Sequence, residues 1–576
     1  MTLRHPGRGS TAGRRSLLTG AIKIPVLIVG GGPVGMALGT ELGYQDIDCL
    51  IIERRDGTVS HPKMNMISTR TMEFCRRWGV AHEIRGAGWP PDHPMNIAYV
   101  TSLSGYRISG FDYPSYDDRA PWQHTPEGHQ RCSQLFFDPV IQKRAESFNS
   151  VSARYRTLFR SFEQDDEGVT AIVEDRDTRK HETIRAQYMV ACDGADSAVR
   201  ETLGINLKGD APLSFDINMF IESLDVMRFH KQHQAMMYWL YGSEGFWGQF
   251  ISVDGRGLWR LSMVTPSLIT DTENFDAHTH IRRALGSDDI DYELKSILPW
   301  ERHRRVAERY HVGRVFLAGD AVHQYSPTGG LGMNTGIQEA VDIAWKLSAV
   351  LNGWGGEQLL DSYFIERQPV ATRNNEEATA NFKKLVELPS GEAIDKDNAE
   401  GEALRADVKH VIETGGYNEE YEQEGVTVGY RYDNSPICID DGSGFPAYTI
   451  VEYDQSARPG SRAPHIWLEE GRSTLDLFRR DFTLLRLGEA APGGTTLIAA
   501  ARAVGLPMNV EHIPSDDAAD LYQADLCLVR PDGHVAWRGT GDPDGAAAII
   551  DAVRGVGDSE LHTNAKAFAE TGRQTA

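Results

Sequence analysis

Residues 24–53 read IPVLIVGGGPVGMALGTELGYQDIDCLIIE. A β-branched run, Val26 to Val29, leads into Gly30, Gly32 and Gly35 in the GxGxxG spacing, with Pro33 inside it. A helical stretch follows, and a second apolar strand ends at Glu53. This is a complete βαβ unit. Gly30 permits the tight turn, Gly32 lets the backbone approach a pyrophosphate, and Gly35 lets helix and strand pack closely. A diphosphate would sit on the helix N-terminus, where free N–H groups and the helix dipole favour anions. Glu53 is placed to accept hydrogen bonds from a ribose, with Arg54 beside it. An acid there suits an adenosine ribose without a 2′-phosphate, hence FAD or NAD rather than NADP at this turn.

The whole chain has 576 residues, and roughly 100–200 residues per domain implies several modules. A net charge of −23 leaves no basic surplus for a nucleic-acid partner. The six cysteines are scattered and form no CxxC, so neither a zinc knuckle nor a dithiol redox pair is written here. Arg14 and Arg15 precede an apolar segment, as in a twin-arginine export signal. That segment is also the strand carrying the glycine turn, so residues 1–22 read as a basic, flexible extension of a cytoplasmic protein. No apolar run reaches the roughly 18–20 residues of a membrane span.

Two later segments select the dinucleotide. The first is AQYMVACDGADSAVRETLGI, residues 186–205, with Asp193-Gly194 between a buried strand and a helix start. The second is RVFLAGDAVHQYSPTGGLGMNTGIQEAVDIAWKLSAVL, residues 314–351, with Gly319-Asp320 and the loop SPTGGLGMN. With GxGxxG, in this order, they resemble the class A flavoprotein aromatic hydroxylases, the family with the fold of 4-hydroxybenzoate hydroxylase that includes phenol and phenylpropionate hydroxylases. The resemblance is strong over about residues 23–350.

The resemblance implies an α/β fold with a Rossmann-like FAD-binding domain interleaved with a β-sheet substrate domain, followed by a thioredoxin-like α/β domain. It implies tight, non-covalent FAD, with NADPH or NADH as transient electron donor. Asp320 would bind the ribityl chain, and Pro327 would lie at the flavin face where oxygen reacts. Gly330, Gly332 and the N–H groups near Met333 and Asn334 would meet the pyrimidine edge, where a helix N-terminus stabilises the negative charge of reduced flavin. ISTRTMEF makes Arg70 the expected cation for the diphosphate. RCSQLFFDPVI makes Gln134 an FAD contact, with Arg131 as a second candidate. Asp193 would lie near the diphosphate and the nicotinamide, while Arg200 would hold its own turn together and His323 would be structural. No second GxGxxG exists, which suits a coenzyme bound transiently over the FAD domain.

Between residues 210 and 300, apolar and aromatic residues alternate with polar ones, as in an antiparallel sheet with one covered face. Tyr238, Trp239, Tyr241, Trp247 and Trp259 are candidates for lining the substrate pocket. Where relatives place an acid, this chain has HPKMNMIS with Asn65, and where some use a tyrosine it has Ser262. The residue that deprotonates a phenol is therefore open among Tyr238, Tyr241, Asp254 and Arg260. The expected organisation places the FAD-binding domain at 23–84, 129–209 and 301–375, and the substrate region at 85–128 and 210–300. A helical acidic linker at 376–440 would carry solvated faces such as EEYEQEG. A thioredoxin-like domain without CxxC would occupy 441–576 and serve packing, dimerisation or stability, so a homodimer stays open.

The expected activity is an FAD-dependent monooxygenase that hydroxylates an aromatic, phenolic substrate with NAD(P)H and dioxygen through a flavin hydroperoxide. The alternatives are the same oxygenation of a polyketide, antibiotic or heterocycle, an FAD-dependent reductase, and a flavin-binding partner without turnover. Fold likeness carries this reaction class.

Overall fold

The computed structural model describes residues 22–229 and 234–557. The expected N-terminal extension falls almost wholly outside them. The strand Ile22–Val29 is fully buried from Val26 onward, as its β-branched run requires of a strand covered on both faces. It pairs in parallel with Cys49–Ile52 on one side and His181–Ala191 on the other. Val151–Arg154 and Val315–Leu317 extend the parallel sheet, and a hairpin from Thr157 to Asp175 adds an antiparallel edge. The helices Pro33–Tyr44 and Leu331–Leu351 pack on this sheet and on each other.

A second sheet of eight strands runs in the order His323–Gln324, Glu293–Ala307, Leu207–Glu222, Leu258–Thr265, Gly245–Ser252, Met237–Gly242, Ile97–Val100, Arg107–Phe111. Its last two strands come from the first part of the substrate region, residues 85–128. Leu207–Glu222 and Glu293–Ala307 run straight through the limits drawn at 209/210 and 300/301. Two long, paired strands thus tie the substrate region rigidly to the FAD region.

The stretch expected to be a solvated linker is packed structure. The helix Gln358–Val386 runs on without a break, and Ala399–Thr414 folds back against the second sheet. Leu385, Ile394, Val408, Ile412 and Tyr417 share one apolar cluster with Ile97, Tyr99, Trp239 and Tyr241. Within EEYEQEG, Glu420 is only 8% exposed. Its acidic neighbours gave it a solvated reading that the apolar residues on either side override.

The tail forms a four-stranded sheet in the order Met508–Ile513, Phe482–Leu487, Leu526–Val529, Val535–Gly539, parallel in the first pair and antiparallel after it. Asp532-Gly533 turns the final hairpin, with Gly533 at φ +83°. Trp345 and Ala349, on the rear half of the helix Leu331–Leu351, are packed into this domain's core with Phe482 and Leu484. No helix among the described residues is long and apolar enough to cross a membrane.

Candidate active site

A cavity of about 1950 Å³ opens between the two large sheets, bordered at one end by the glycine turn and at the other by the second sheet. At the turn, Gly30 has φ +107°, and a Cβ there would fall 2.3 Å from the Cys192 carbonyl oxygen. Gly35 does not border the cavity; its hypothetical Cβ would lie 2.0 Å from the Gly30 carbonyl oxygen, so it packs the turn. Gly32 caps the helix Pro33–Tyr44 and has nothing within 4 Å of its Cβ position, which leaves the helix N-terminus open. Pro33 at the first helical position sets the helix going without needing a donor. Glu53 accepts from the N–H groups of Gly31 and Arg55, both at 2.8 Å, so one carboxylate braces the loop at the cavity edge. Arg54 borders the same end.

Asp193 borders the cavity as well. Its Oδ2 accepts from Val199 N–H at 3.3 Å, its Oδ1 has no partner, and burial raises its pKa. Arg200, as expected, holds its turn through the Ala195 carbonyl at 2.9 Å. Asp320 is exposed toward the cavity. Beside it, Glu339 accepts from Gly319 N–H at 2.9 Å and lies 3.2 Å from His323 Nε2, which fixes that turn from behind.

Beyond Pro327 the chain passes through two left-handed glycines, Gly329 at φ +79° and Gly330 at φ +64°. The helix Leu331–Leu351 then starts with no side-chain cap, so its first N–H groups, at Leu331, Gly332 and Met333, have no side-chain acceptor. The Asn334 side chain is engaged within the protein: its Oδ1 accepts from Ser68 N–H at 2.9 Å, and its Nδ2 donates to Met66 and Gly330 carbonyls at 3.0 and 2.7 Å. It staples the helix to the Met66–Ser68 segment. Gln134 accepts from Lys63 N–H at 3.1 Å and donates to Asp138, whose pKa burial pushes up to about 7.

Arg70 does not border the cavity. It is buried, pairs with Glu73 at 2.7 Å, and donates to the Asp532 carbonyl at 2.5 Å. Its position in the first turn of the helix Thr69–Arg77 aims it at the tail, and Arg462 shares the same glutamate. The cations at the nucleotide end are instead Arg54, Arg55, Arg156 and Arg176.

On the second sheet the alternation resolves against the aromatic candidates. Tyr238, Trp247 and Trp259 face the helix Ala277–Leu285 in one apolar cluster. Trp239 and Tyr241 lie on the cavity's side of the sheet but are roofed by the 385–421 segment: Tyr241 donates to the Leu385 carbonyl at 2.6 Å, and Trp239 Nε1 donates to Tyr421 Oη at 2.6 Å. Tyr238 Oη accepts from Ala235 N–H. None of the five borders the cavity, and neither does Asp254, which caps its own turn. The residues that do border it on this sheet include Asn218, Met237, Gln249, Ile251, Arg260 and Ser262, with Leu298, Pro299, Trp300, Glu301 and His303 from Glu293–Ala307 and Gln324 at its edge. A polar floor results, in which Ser262 donates to Asn218 beside Gln249.

Sequence reasoning missed the opposite wall. Glu420 accepts from Gly329 N–H at 3.0 Å, and Gln423 donates to the Gly329 carbonyl at 2.6 Å. Burial raises the Glu420 pKa to about 7. The only sequence signal was an aromatic and a glutamine set among acids, flanked by Tyr417 and Val426.

Buried polar atoms are nearly always paired. Nine on residues around this cavity are not: His61 Nε2, Asn65 Oδ1, Arg131 Nε, Asp138 Oδ1, Asp193 Oδ1, Arg260 Nε, Trp300 Nε1, His303 Nδ1 and Gln324 Oε1. Orphaned groups, an open helix start at Gly32 and a second helix start at Gly330 fit FAD. The volume exceeds the roughly 300–1,000 Å³ of a single small-molecule site, leaving room for a ring beside the dinucleotide.

The family model described as "FAD binding domain" matches residues 23–378, and the one described as "Aromatic-ring hydroxylase, C-terminal" matches 456–556. The chain is 32% identical to 4-methyl-5-nitrocatechol 5-monooxygenase of Burkholderia sp, over 93% of this chain and 98% of that protein. It is 31% identical to tetracenomycin B2 monooxygenase-dioxygenase of Streptomyces olivaceus, over 92% and 98%. The solved structure of the rebeccamycin biosynthetic enzyme RebC with reduced flavin superposes with a TM-score of 0.87 at 37% identity, covering 93% of this chain and all of that one.

Proposed function

The chain belongs to the FAD-dependent aromatic-ring hydroxylases, and from that premise we propose how its residues divide the work. It is an FAD-dependent monooxygenase acting on an aromatic ring with NAD(P)H as electron donor. FAD, when bound, accepts two electrons from NAD(P)H and activates dioxygen so that one oxygen atom enters the ring.

The glycine turn and the N-terminus of Pro33–Tyr44 would hold the diphosphate, with Glu53 on the ribose and Arg54 nearby. Asp320 and Gln134 would hold the ribityl region. Pro327 to Met333 would carry the flavin edge, where unpaired N–H groups favour negative charge on the reduced ring system. The single observation behind this reading is the continuity of one cavity from Gly32, past Pro327, to Asn218, Gln249 and Ser262. The substrate ring would lie on that polar floor, with Arg260 at its edge. The walls would keep the ring at attack distance and exclude water.

The substrate we favour is phenolic. A larger polycyclic ring is a second reading, supported by a cavity of about 1950 Å³. Tyr238, turned away from the cavity, and Tyr241, covered by the 385–421 segment, are not part of the proposal. The test is NADH and NADPH oxidation by the yellow protein across simple phenols and polycyclic phenols, with dioxygen and peroxide followed together. A ring that speeds coenzyme oxidation with little peroxide supports the assignment and selects between the two readings. Uniformly slow oxidation, or complete return of oxygen as peroxide, counts against both.

A further inference from the structure

The peptide of Gly329 is gripped from both sides by one short segment. Its N–H donates to Glu420 at 3.0 Å, and its carbonyl accepts from Gln423 Nε2 at 2.6 Å. Gly329 stands in the left-handed region one residue before Gly330, the cap of the helix Leu331–Leu351. The two residues between the grips are tied to other walls. Tyr421 Oη accepts from Trp239 Nε1 at 2.6 Å, and Glu422 accepts from Tyr113 Oη at 2.8 Å. The Glu420 carboxyl is thus fixed in place, buried, and on the border of the cavity.

The charged and titratable groups that face this carboxyl are Arg302, Lys384, Tyr421 and Tyr99. Both cations are engaged elsewhere. Arg302 pairs with Asp216 at 3.0 Å and donates to Ser326 Oγ at 2.7 Å, while Lys384 pairs with Glu419. Burial pushes Tyr99 and Tyr421 well above the ordinary tyrosine range, so both keep their protons. Burial carries Glu420 to about 7, against the pull of the Gly329 N–H. Of these groups it is the one that changes charge near neutral pH. The helix start beside Gly329 is also where the proposed function puts the negative charge of reduced flavin. An ionised Glu420 competes with that charge for the same positive helix end, and a protonated Glu420 does not.

We infer that Glu420 is a positioning residue coupled to the flavin through the Gly329 peptide, and that its carboxyl takes up a proton when the bound flavin is reduced. This deepens the monooxygenase reading and rests on it. A hydride from NAD(P)H brings two electrons and one proton and leaves one negative charge on the ring system. The proton that Glu420 takes comes from solvent and offsets that charge. The coupling is reciprocal: protonated Glu420 favours reduction by the factor by which reduction favours the proton. The result is a flavin that is reduced more readily on the acid side of neutrality.

The test is the midpoint potential of FAD bound to the full-length protein, measured across pH without substrate or turnover. One proton per two-electron reduction shifts the balance of reduced and oxidised flavin tenfold per pH unit, about 30 mV. Above about pH 7, where oxidised-state Glu420 has lost its proton, the wild type is expected to show a second tenfold per unit. Glu420→Gln keeps an acceptor for Gly329 and cannot titrate. It should show the single slope and, at about pH 8 and a fixed potential, at least about 5-fold more reduced flavin relative to oxidised than the wild type. The wild-type slope decides alone if the variant fails to fold. A single slope in the wild type overturns the coupling. So does a steep segment that survives Glu420→Gln, since another cavity acid then carries the proton. Asp138 is the first such candidate; burial also carries it to about 7, but its partner is Gln134. FAD bound with a single slope leaves the monooxygenase reading standing, whereas a protein that binds no FAD sinks both.

Discussion

The carboxyl of Glu420 accepts a 3.0 Å hydrogen bond from the N–H of Gly329, joining an acidic stretch to the flavin loop across 91 residues of chain. Burial raises the Glu420 pKa to about 7, with the Gly329 N–H as the first opposing influence. The unfolded chain ionises this group near 4.3, so between the two values the folded protein keeps a proton that the unfolded chain has lost. Stability contributed by this residue therefore falls as pH rises through that window, by up to about 3 kcal/mol. Glu420→Gln keeps an acceptor for Gly329 and removes the titration. Urea unfolding at pH 5 and pH 8 should show the variant gaining on the wild type at the higher pH; an unchanged difference would contradict the assignment.

The glycine turn gives a graded prediction. At Gly30, alanine meets both a positive φ and a carbonyl at 2.3 Å, and at Gly35 a carbonyl at 2.0 Å. Both substitutions should distort the turn and weaken FAD by about 100-fold or more. Gly32→Ala meets no protein atom within 4 Å, so the apoprotein should melt as the wild type does. FAD retention should still drop, because the added methyl occupies the diphosphate's approach. Apoprotein melting and FAD titration separate the two effects; full FAD retention by Gly32→Ala would count against a diphosphate there.

A third prediction concerns the tail. Arg530 lies at zero exposure among Glu366, Asp342 and Asp532, with Lys346 completing the cluster. Asp342 sits on the helix that begins at Gly330. Arg530→Met strands three acids with one lysine and should cost about 3–5 kcal/mol. Chemical unfolding should show that loss together with earlier FAD release. A cost below about 1 kcal/mol would mean that the tail is a detachable scaffold.

The first βαβ unit, the Gly319-Asp320 turn and the SPTGGLGMN loop could be read from sequence because their function demands residue types at fixed local spacing. Arg70 could not be assigned that way, since Asp532, whose carbonyl it meets, and Arg462, which shares Glu73 with it, arrive from nearly four hundred or more residues away. The aromatic candidates failed for a different reason. For Tyr238, Trp247 and Trp259, a strand's period of two gives two faces and does not say which one meets the cavity; Trp239 and Tyr241 share the cavity's side but are covered by the 385–421 segment, a long-range packing no local pattern shows. Glu420 was hidden because charge density reads as exposure until tertiary packing is known.

Isotope incorporation addresses the reaction itself. The holoenzyme would be turned over with NAD(P)H under ¹⁸O₂ on the best-coupled ring of the panel, and the product mass recorded. One labelled oxygen atom per product, with dioxygen and coenzyme consumed in equal amounts, is the expected result. A product reduced without uptake of dioxygen, or hydroxylated with oxygen from water, would contradict the assignment of this cavity to oxygen transfer.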